Sequence, residues 1–127
     1  MVSRVRGSDT NTFVTIDAGK TTITAERGVG IMATSYGQID IKGDLALTAS
    51  EAITARGDAV VNINQEGNST VVLKGDIVFS AGNDENSGKS IDADINVNLV
   101  GEGSSWTGSL IRLEVAGEEP QTISKGL

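Results

Sequence analysis

The sequence predicts an all-β chain folded as a β-solenoid, and three observations predict it. The stretch Ile39-Asp-Ile-Lys-Gly-Asp-Leu-Ala-Leu-Thr-Ala49 returns 32 residues later as Val71-Val-Leu-Lys-Gly-Asp-Ile-Val-Phe-Ser-Ala81. Lys, Gly, Asp and Ala are unchanged, and most other positions exchange one apolar residue, or one hydroxyl, for another. Both copies alternate: Ile39, Ile41, Leu45 and Leu47 share one face, as do Val71, Leu73, Ile77 and Phe79. Sixteen Gly stand against the single Pro120, and β-branched and aliphatic residues outweigh the aromatics Phe13, Tyr36, Phe79 and Trp106. That mixture suits short strands joined by tight turns. A fixed-offset repeat in so short a chain implies stacked copies of one supersecondary unit.

The elements follow in order. Arg-Gly recurs at Arg6-Gly7, Arg27-Gly28 and Arg56-Gly57, with Lys125-Gly126 as a late echo. After the first three come alternating runs at 13–17, 30–33 and 59–64. Each run leads to a Gly-bearing turn (Gly19, Gly37, Gly67) and a further strand at 21–25, 38–42 or 70–74. Arg-Gly therefore reads as a turn signal that opens each unit. The most polar stretch is expected to form a loop insertion at 82–90, followed by 91–99. There Ile91, Ala93, Ile95, Val97 and Leu99 alternate strictly with Asp92, Asp94, Asn96 and Asn98. A second loop is expected at 117–122. The whole chain, 1–127, reads as one solenoid segment of about four to five coils, with Ile41, Leu47, Ile63, Leu73, Phe79, Ile95 and Val97 facing inward. It opens in mid-pattern and so reads as a piece of a longer solenoid.

Charge narrows the function classes. Seventeen acidic residues against ten basic give a net charge of −7. That balance opposes phosphate-backbone and anionic-membrane binding, both of which need a basic face. With no Cys and no His, there is no disulfide framework, no thiol chemistry, no Ser-His-Asp or Cys-His arrangement and no His-ligated zinc. No stretch reaches the ~18 apolar residues of a membrane-spanning helix. Carboxylates remain as the catalytic candidates. Asp40 is expected outward on its strand, while Asp44 and Asp76 fall at equivalent turns of the two copies, where Asp commonly bonds its own backbone. Asp92 and Asp94, with Asn83, Asp84 and Glu85, have the oxygen-rich character of a calcium site. However, the Gly-Gly-x-Gly-x-Asp nonapeptide of calcium-binding solenoids is missing, so outward acids on an exposed strand explain them better. No catalytic, cofactor-binding or metal site is assigned.

Three short motifs remain. Arg56-Gly57-Asp58 spells an integrin-recognition tripeptide, although the recurring Arg-Gly accounts for two of its residues. Asn68-Ser69-Thr70 has the form of a glycosylation sequon. Trp106, the sole tryptophan, either packs across a turn or offers a stacking platform for sugar, and packing is favoured.

The run from Ile91 through Val100-Gly-Glu-Gly-Ser-Ser-Trp-Thr-Gly108 resembles the passenger domains of pertactin-like bacterial autotransporters. In these, an alternating strand leads into a Gly-x-x-Ser-x-Trp-x-Gly-like turn. The resemblance implies a right-handed parallel β-helix at the bacterial cell surface or secreted, not an enzyme, serving as an adhesive scaffold. Membrane attachment would then come only through a C-terminal barrel that this sequence does not contain. Its partners would be host-cell protein or glycan, met by an interaction loop of Asn83, Asp84, Glu85 and Asn86 together with Trp106. Two other classes fit the repeat: a bactofilin-like polymerising cytoskeletal solenoid, and a fragment of a polysaccharide-degrading β-helix or phage tailspike. Stacked strands also leave edges, so end-to-end self-association is expected.

Overall fold

The computed structural model describes residues 2–4, 12–82, 92–115 and 123–126. Every regular element among them is a strand: β1 (Val2–Arg4), β2 (Thr12–Thr34), β3 (Gly37–Arg56), β4 (Val60–Ile63), β5 (Val71–Gly82), β6 (Asp94–Asn98), β7 (Ser105–Thr107), β8 (Leu110–Val115) and β9 (Ile123–Gly126). All pairings are parallel and join the strands into one nine-stranded sheet.

Register divides that sheet into three ladders. The first runs Val14, Ile39, Val61, Ile95, Ile123. The second runs Ile23, Leu47, Leu73, Trp106. The third runs Ile31, Ile53, Ile77, Leu110. Register shifts at 17/20 and 25/29 of β2, and around 48–53 of β3, mark where a long strand passes from one ladder to the next. Because Ile39, Ile41, Leu45, Leu47, Ile53, Val61, Ile63, Val71, Leu73, Ile77, Phe79, Ile95 and Val97 form a single buried cluster, the sheet curls around one apolar core. The seven residues expected to face inward are all buried, none more than 2% exposed. Period-two alternation places them there, and like residues stacking about 4.8 Å apart fill the narrow interior.

The sequence repeat does not stack on itself. Offset 32 would set Leu45 beside Ile77, whereas β3 pairs Leu45 with Val71 and Leu47 with Leu73, and then Ile53 with Ile77. The two Lys-Gly-Asp triplets therefore occupy different corners. Gly43 lies between the first and second ladders, where a Cβ would collide with the Ala18 carbonyl. Gly75 lies between the second and third, where a Cβ would collide with the Ala49 carbonyl. Both have positive φ, +89° and +138°, and only Gly meets that combination of conformation and close approach.

Arg-Gly also fails as a unit marker. Arg27-Gly28 sits inside β2 near a register shift. Arg56-Gly57, by contrast, leads into a left-handed turn, with Gly57 and Asp58 at φ +63° and +62°. That turn stacks against Ser35-Tyr36, also left-handed, through Ser35 N–H donating to Arg56 O (3.0 Å) and Tyr36 N–H donating to Gly57 O (2.9 Å). Arg6-Gly7 lies outside the described residues, and Lys125-Gly126 belongs to β9. Gly82, the first residue of the insertion expected at 82–90, closes β5; 83–90 and the loop expected at 117–122 lie outside the described residues.

The third ladder is covered on both sides. Ile77, Phe79 and Ala81 join the core, yet the intervening Val78 and Ser80 are also buried, at 3% and 5% exposure, as is Thr54 at 1%. Thr54 Oγ1 donates to Glu51 Oε2 at 2.8 Å, and Ser80 Oγ accepts from Gly57 N–H at 3.0 Å. Each of these two hydroxyls thus has a partner in its shielded setting, as buried polar groups require.

Candidate functional site

The most organised polar surface lies on the outer side of the first ladder. Asp40, Asn62 and Asn96 occupy one register column. Asn96 Nδ2 donates to Asn62 Oδ1 at 2.9 Å, and Asn62 Nδ2 donates to Asp40 Oδ1 at 2.8 Å. Gln38 Nε2 donates to both carboxylate oxygens, at 3.3 and 3.0 Å. The amide column thus runs into a carboxylate that accepts three hydrogen bonds, all donors pointing toward the negative end. A shallow depression of about 140 Å³ opens beside it, lined by Asp40, Ile41, Lys42, Asn62, Gln65 and Glu66. Asp40 is outward, as its strand position predicts, and its oxygens are engaged by amides.

Asp44 and Asp76 form the same bonding ring at their separate corners. Thr70 N–H donates to Asp44 Oδ1 (2.8 Å) while Leu45 N–H donates to Thr70 O (3.0 Å). Ser109 N–H donates to Asp76 Oδ1 (2.9 Å) while Ile77 N–H donates to Ser109 O (2.9 Å). Each Asp therefore bonds the backbone of the neighbouring strand layer rather than its own turn, which corrects the sequence expectation. The reason is that Gly turns the chain sharply and leaves the next residue beside the corner stacked upon it. Lys-Gly-Asp is a portable corner, with Gly to bend the chain and Asp to tie the layers.

The sequence reading missed Asn64. Alternation from Val61 and Ile63 would place it outward, yet it is 2% exposed. At φ +55° it leaves the strand conformation, and its amide turns in. Nδ2 donates to Ser69 O (3.1 Å) and Asn98 O (3.0 Å), and Oδ1 accepts from Ser69 N–H (3.2 Å). These bonds close the 65–69 loop and fasten it to the end of β6. An Asn at a strand end just ahead of a Gly-bearing turn was the available signal, since Asn tolerates the left-handed conformation. Gln65 was missed too; its Nε2 donates to Ile63 O (3.3 Å) and Asn96 O (3.1 Å).

Trp106 is half-buried against the core, in register with Leu73. Its Nε1–H donates to Gly75 O at 2.9 Å, which satisfies the one polar atom of the ring. Arg56 is exposed while Gly57 and Asp58 are half-buried, so the tripeptide sits flush in a stack of turns. In the sequon, Asn68 is exposed and Ser69 Oγ donates to its Oδ1 at 3.2 Å, while Thr70 Oγ1 donates to Glu102 O at 2.8 Å. Asp94 is exposed and Asp92 half-buried. Among the described residues no three acids gather as a metal site. Asn83, Asp84, Glu85 and Asn86 lie outside the described residues.

Fold and surface together define an all-β protein, parallel strands curled around one apolar core with amides and carboxylates on the outside. Comparison with family models, curated proteins and solved structures finds no match.

Proposed function

We propose that the three ladders are the faces of a right-handed parallel β-helix of about four to five coils. The chain acts as a non-enzymatic scaffold in the passenger domain of a bacterial autotransporter, extending and presenting loops in adhesion. The carrying observation is the persistent register: parallel pairing joins β3 to β4, β4 to β6 and β6 to β9 while apolar residues stay within and amides without. Such a stack is quasi-one-dimensional and lengthens by adding layers, which suits a stalk. Asp44 and Asp76, the acids nearest to a catalytic role by sequence, engage their Oδ1 atoms with backbone N–H groups, which supports a structural reading of both.

Binding, where it occurs, belongs to the 83–90 segment and the turn around Trp106, because variable loops carry recognition on rigid scaffolds. The test is solid-phase binding of the purified chain to host-cell surfaces. Deleting 83–89 is expected to weaken binding while far-UV circular dichroism stays unchanged, and Asp58→Glu is expected to leave binding intact. Release of sugar from a polysaccharide, lost in Asp44→Asn or Asp76→Asn, would replace the scaffold with a hydrolase.

A further inference from the structure

Turning Asn64 inward leaves a gap on the outer side of the first ladder. Asn64 follows Ile63 as Lys42 follows Ile41 and Asn98 follows Val97, so alternation gives all three outward positions in adjoining layers. Lys42 is exposed and Asn98 half-buried. Asn64, at φ +55°, is buried and engages the Ser69 and Asn98 backbone instead. The middle layer therefore lacks one outward side chain. The depression of about 140 Å³ lined by Asp40, Ile41, Lys42, Asn62, Gln65 and Glu66 is that gap.

The polar groups around it are held before anything binds. Gln65 is exposed, yet its Nε2 donates to the Ile63 and Asn96 carbonyls, which occupies both N–H groups and leaves Oε1 to accept. Asn62 is fixed between Asn96 and Asp40, with one N–H remaining. Asp40 accepts three hydrogen bonds, where a carboxylate has room for about four. Lys42 Nζ and the Glu66 carboxylate have no hydrogen bond or ion pair among the described residues. Donors on Lys42 and Asn62 thus face the same space as acceptors on Asp40, Gln65 and Glu66.

We propose that this depression binds one neutral hexose ring, free or at the end of a glycan. The site lies on the wall of the stack, apart from the loops given to cell-surface contact, and does not rest on that reading. A hydroxyl both donates and accepts, so a ring carrying several of them satisfies a mixed set that a pure donor or pure acceptor cannot. Two carboxylates against one ammonium disfavour phosphate, sulfate and uronate. Lys42 repels a metal ion, and among the described residues no three acids gather to hold one. No aromatic ring lines the depression, so a flat aromatic ligand finds no stacking partner. The space is smaller than the roughly 300–1,000 Å³ of most ligand pockets, which limits it to a single ring. Fixed groups favour a rigid ring over an open polyol, which must be ordered on binding. A shallow site without a stacking platform holds such a ring with a Kd on the order of millimolar.

The test is a titration of the full, nitrogen-labelled 127-residue chain followed by two-dimensional NMR. The probes are methyl glucoside, methyl galactoside and methyl mannoside, with sorbitol, glucuronate and inorganic phosphate beside them. At least one glycoside is expected to give saturable shifts at the Asn62 and Gln65 side-chain amides and along the 40–42 and 62–66 backbone. Sorbitol, glucuronate and phosphate are expected to bind more weakly. Lys42→Ala and Glu66→Gln, both at exposed positions, are each expected to raise Kd by about threefold to tenfold with an unchanged melting temperature. Four results overturn the proposal: no saturable shift with any glycoside, shifts confined to another part of the chain, binding of sorbitol, glucuronate or phosphate as tight as the best glycoside, or parental affinity in both variants. None of these depends on whether the chain adheres to cells.

Discussion

Phe79 is the largest of the fully enclosed side chains and is 2% exposed. Its neighbours along the column are Ala55 and Arg112; the first is too small to fill a void, and the second gains nothing by entering an apolar one. Phe79→Ala is therefore expected to cost about 3–5 kcal/mol in chemical denaturation, the range for large-to-small changes in packed interiors. Asn64 tests a different term. Asn64→Gly keeps the positive φ accessible but deletes three side-chain hydrogen bonds, leaving Ser69 N–H and the Ser69 and Asn98 carbonyls to find new partners. A loss of about 1–3 kcal/mol is expected, with faster proteolysis of the 65–69 loop as a second readout. A variant as stable as the parent would show that water replaces the amide at no cost.

At the scale of elements, corners separate one strand run from the next, and their glycines differ in kind. Gly75 has a carbonyl pressed against it and φ +138°, whereas Gly19 has open space where a Cβ would go and no positive φ. Gly75→Ala is expected to destabilise strongly, by several kcal/mol, because it adds a backbone collision to conformational strain. Gly19→Ala is expected to stay within about 0.5 kcal/mol of the parent. Thermal melts of the pair decide it, and equal effects would refute the corner assignment. Asp44→Ala and Asp76→Ala should resemble each other, since each removes the one side-chain bond that closes the same ring at a different corner. About 1–2 kcal/mol apiece is expected, and a large difference between them would deny the equivalence of the two corners.

Across the whole molecule, stability should vary by layer. Residues 39–41, 45–47, 53–55, 61–63 and 72–74 have paired strands on both sides, and their inward side chains are buried. Residues 13–25 have one side paired among the described residues, and Val14, Ile16, Ile23 and Ala25 are only partly buried. Hydrogen exchange is expected to be slowest in the inner layers and fastest along 13–25, since exchange follows local opening free energy. Uniform protection would mean that the stack opens only as one unit. Pairing partners lie 22 to 34 residues apart in most layers, so refolding should be slow for a chain of this size.

By itself the sequence determined the strand class and the inward residues, because alternation is a local property: Ile39, Ile41, Val71, Leu73 and Phe79 are buried wherever their strand pairs. It also determined that Lys-Gly-Asp bends the chain, because Gly43 and Gly75 need conformations closed to other residues. Which strand lies on which was decided only in three dimensions. Leu45 had a close sequence counterpart in Ile77, yet it pairs with Val71, because corner length, not sequence likeness, sets how far the chain travels before it returns. For the same reason Asn64 escaped the sequence reading. Period two assigns it to water, and only the turn after Ile63, with the Ser69 and Asn98 carbonyls beside it, draws its amide inside.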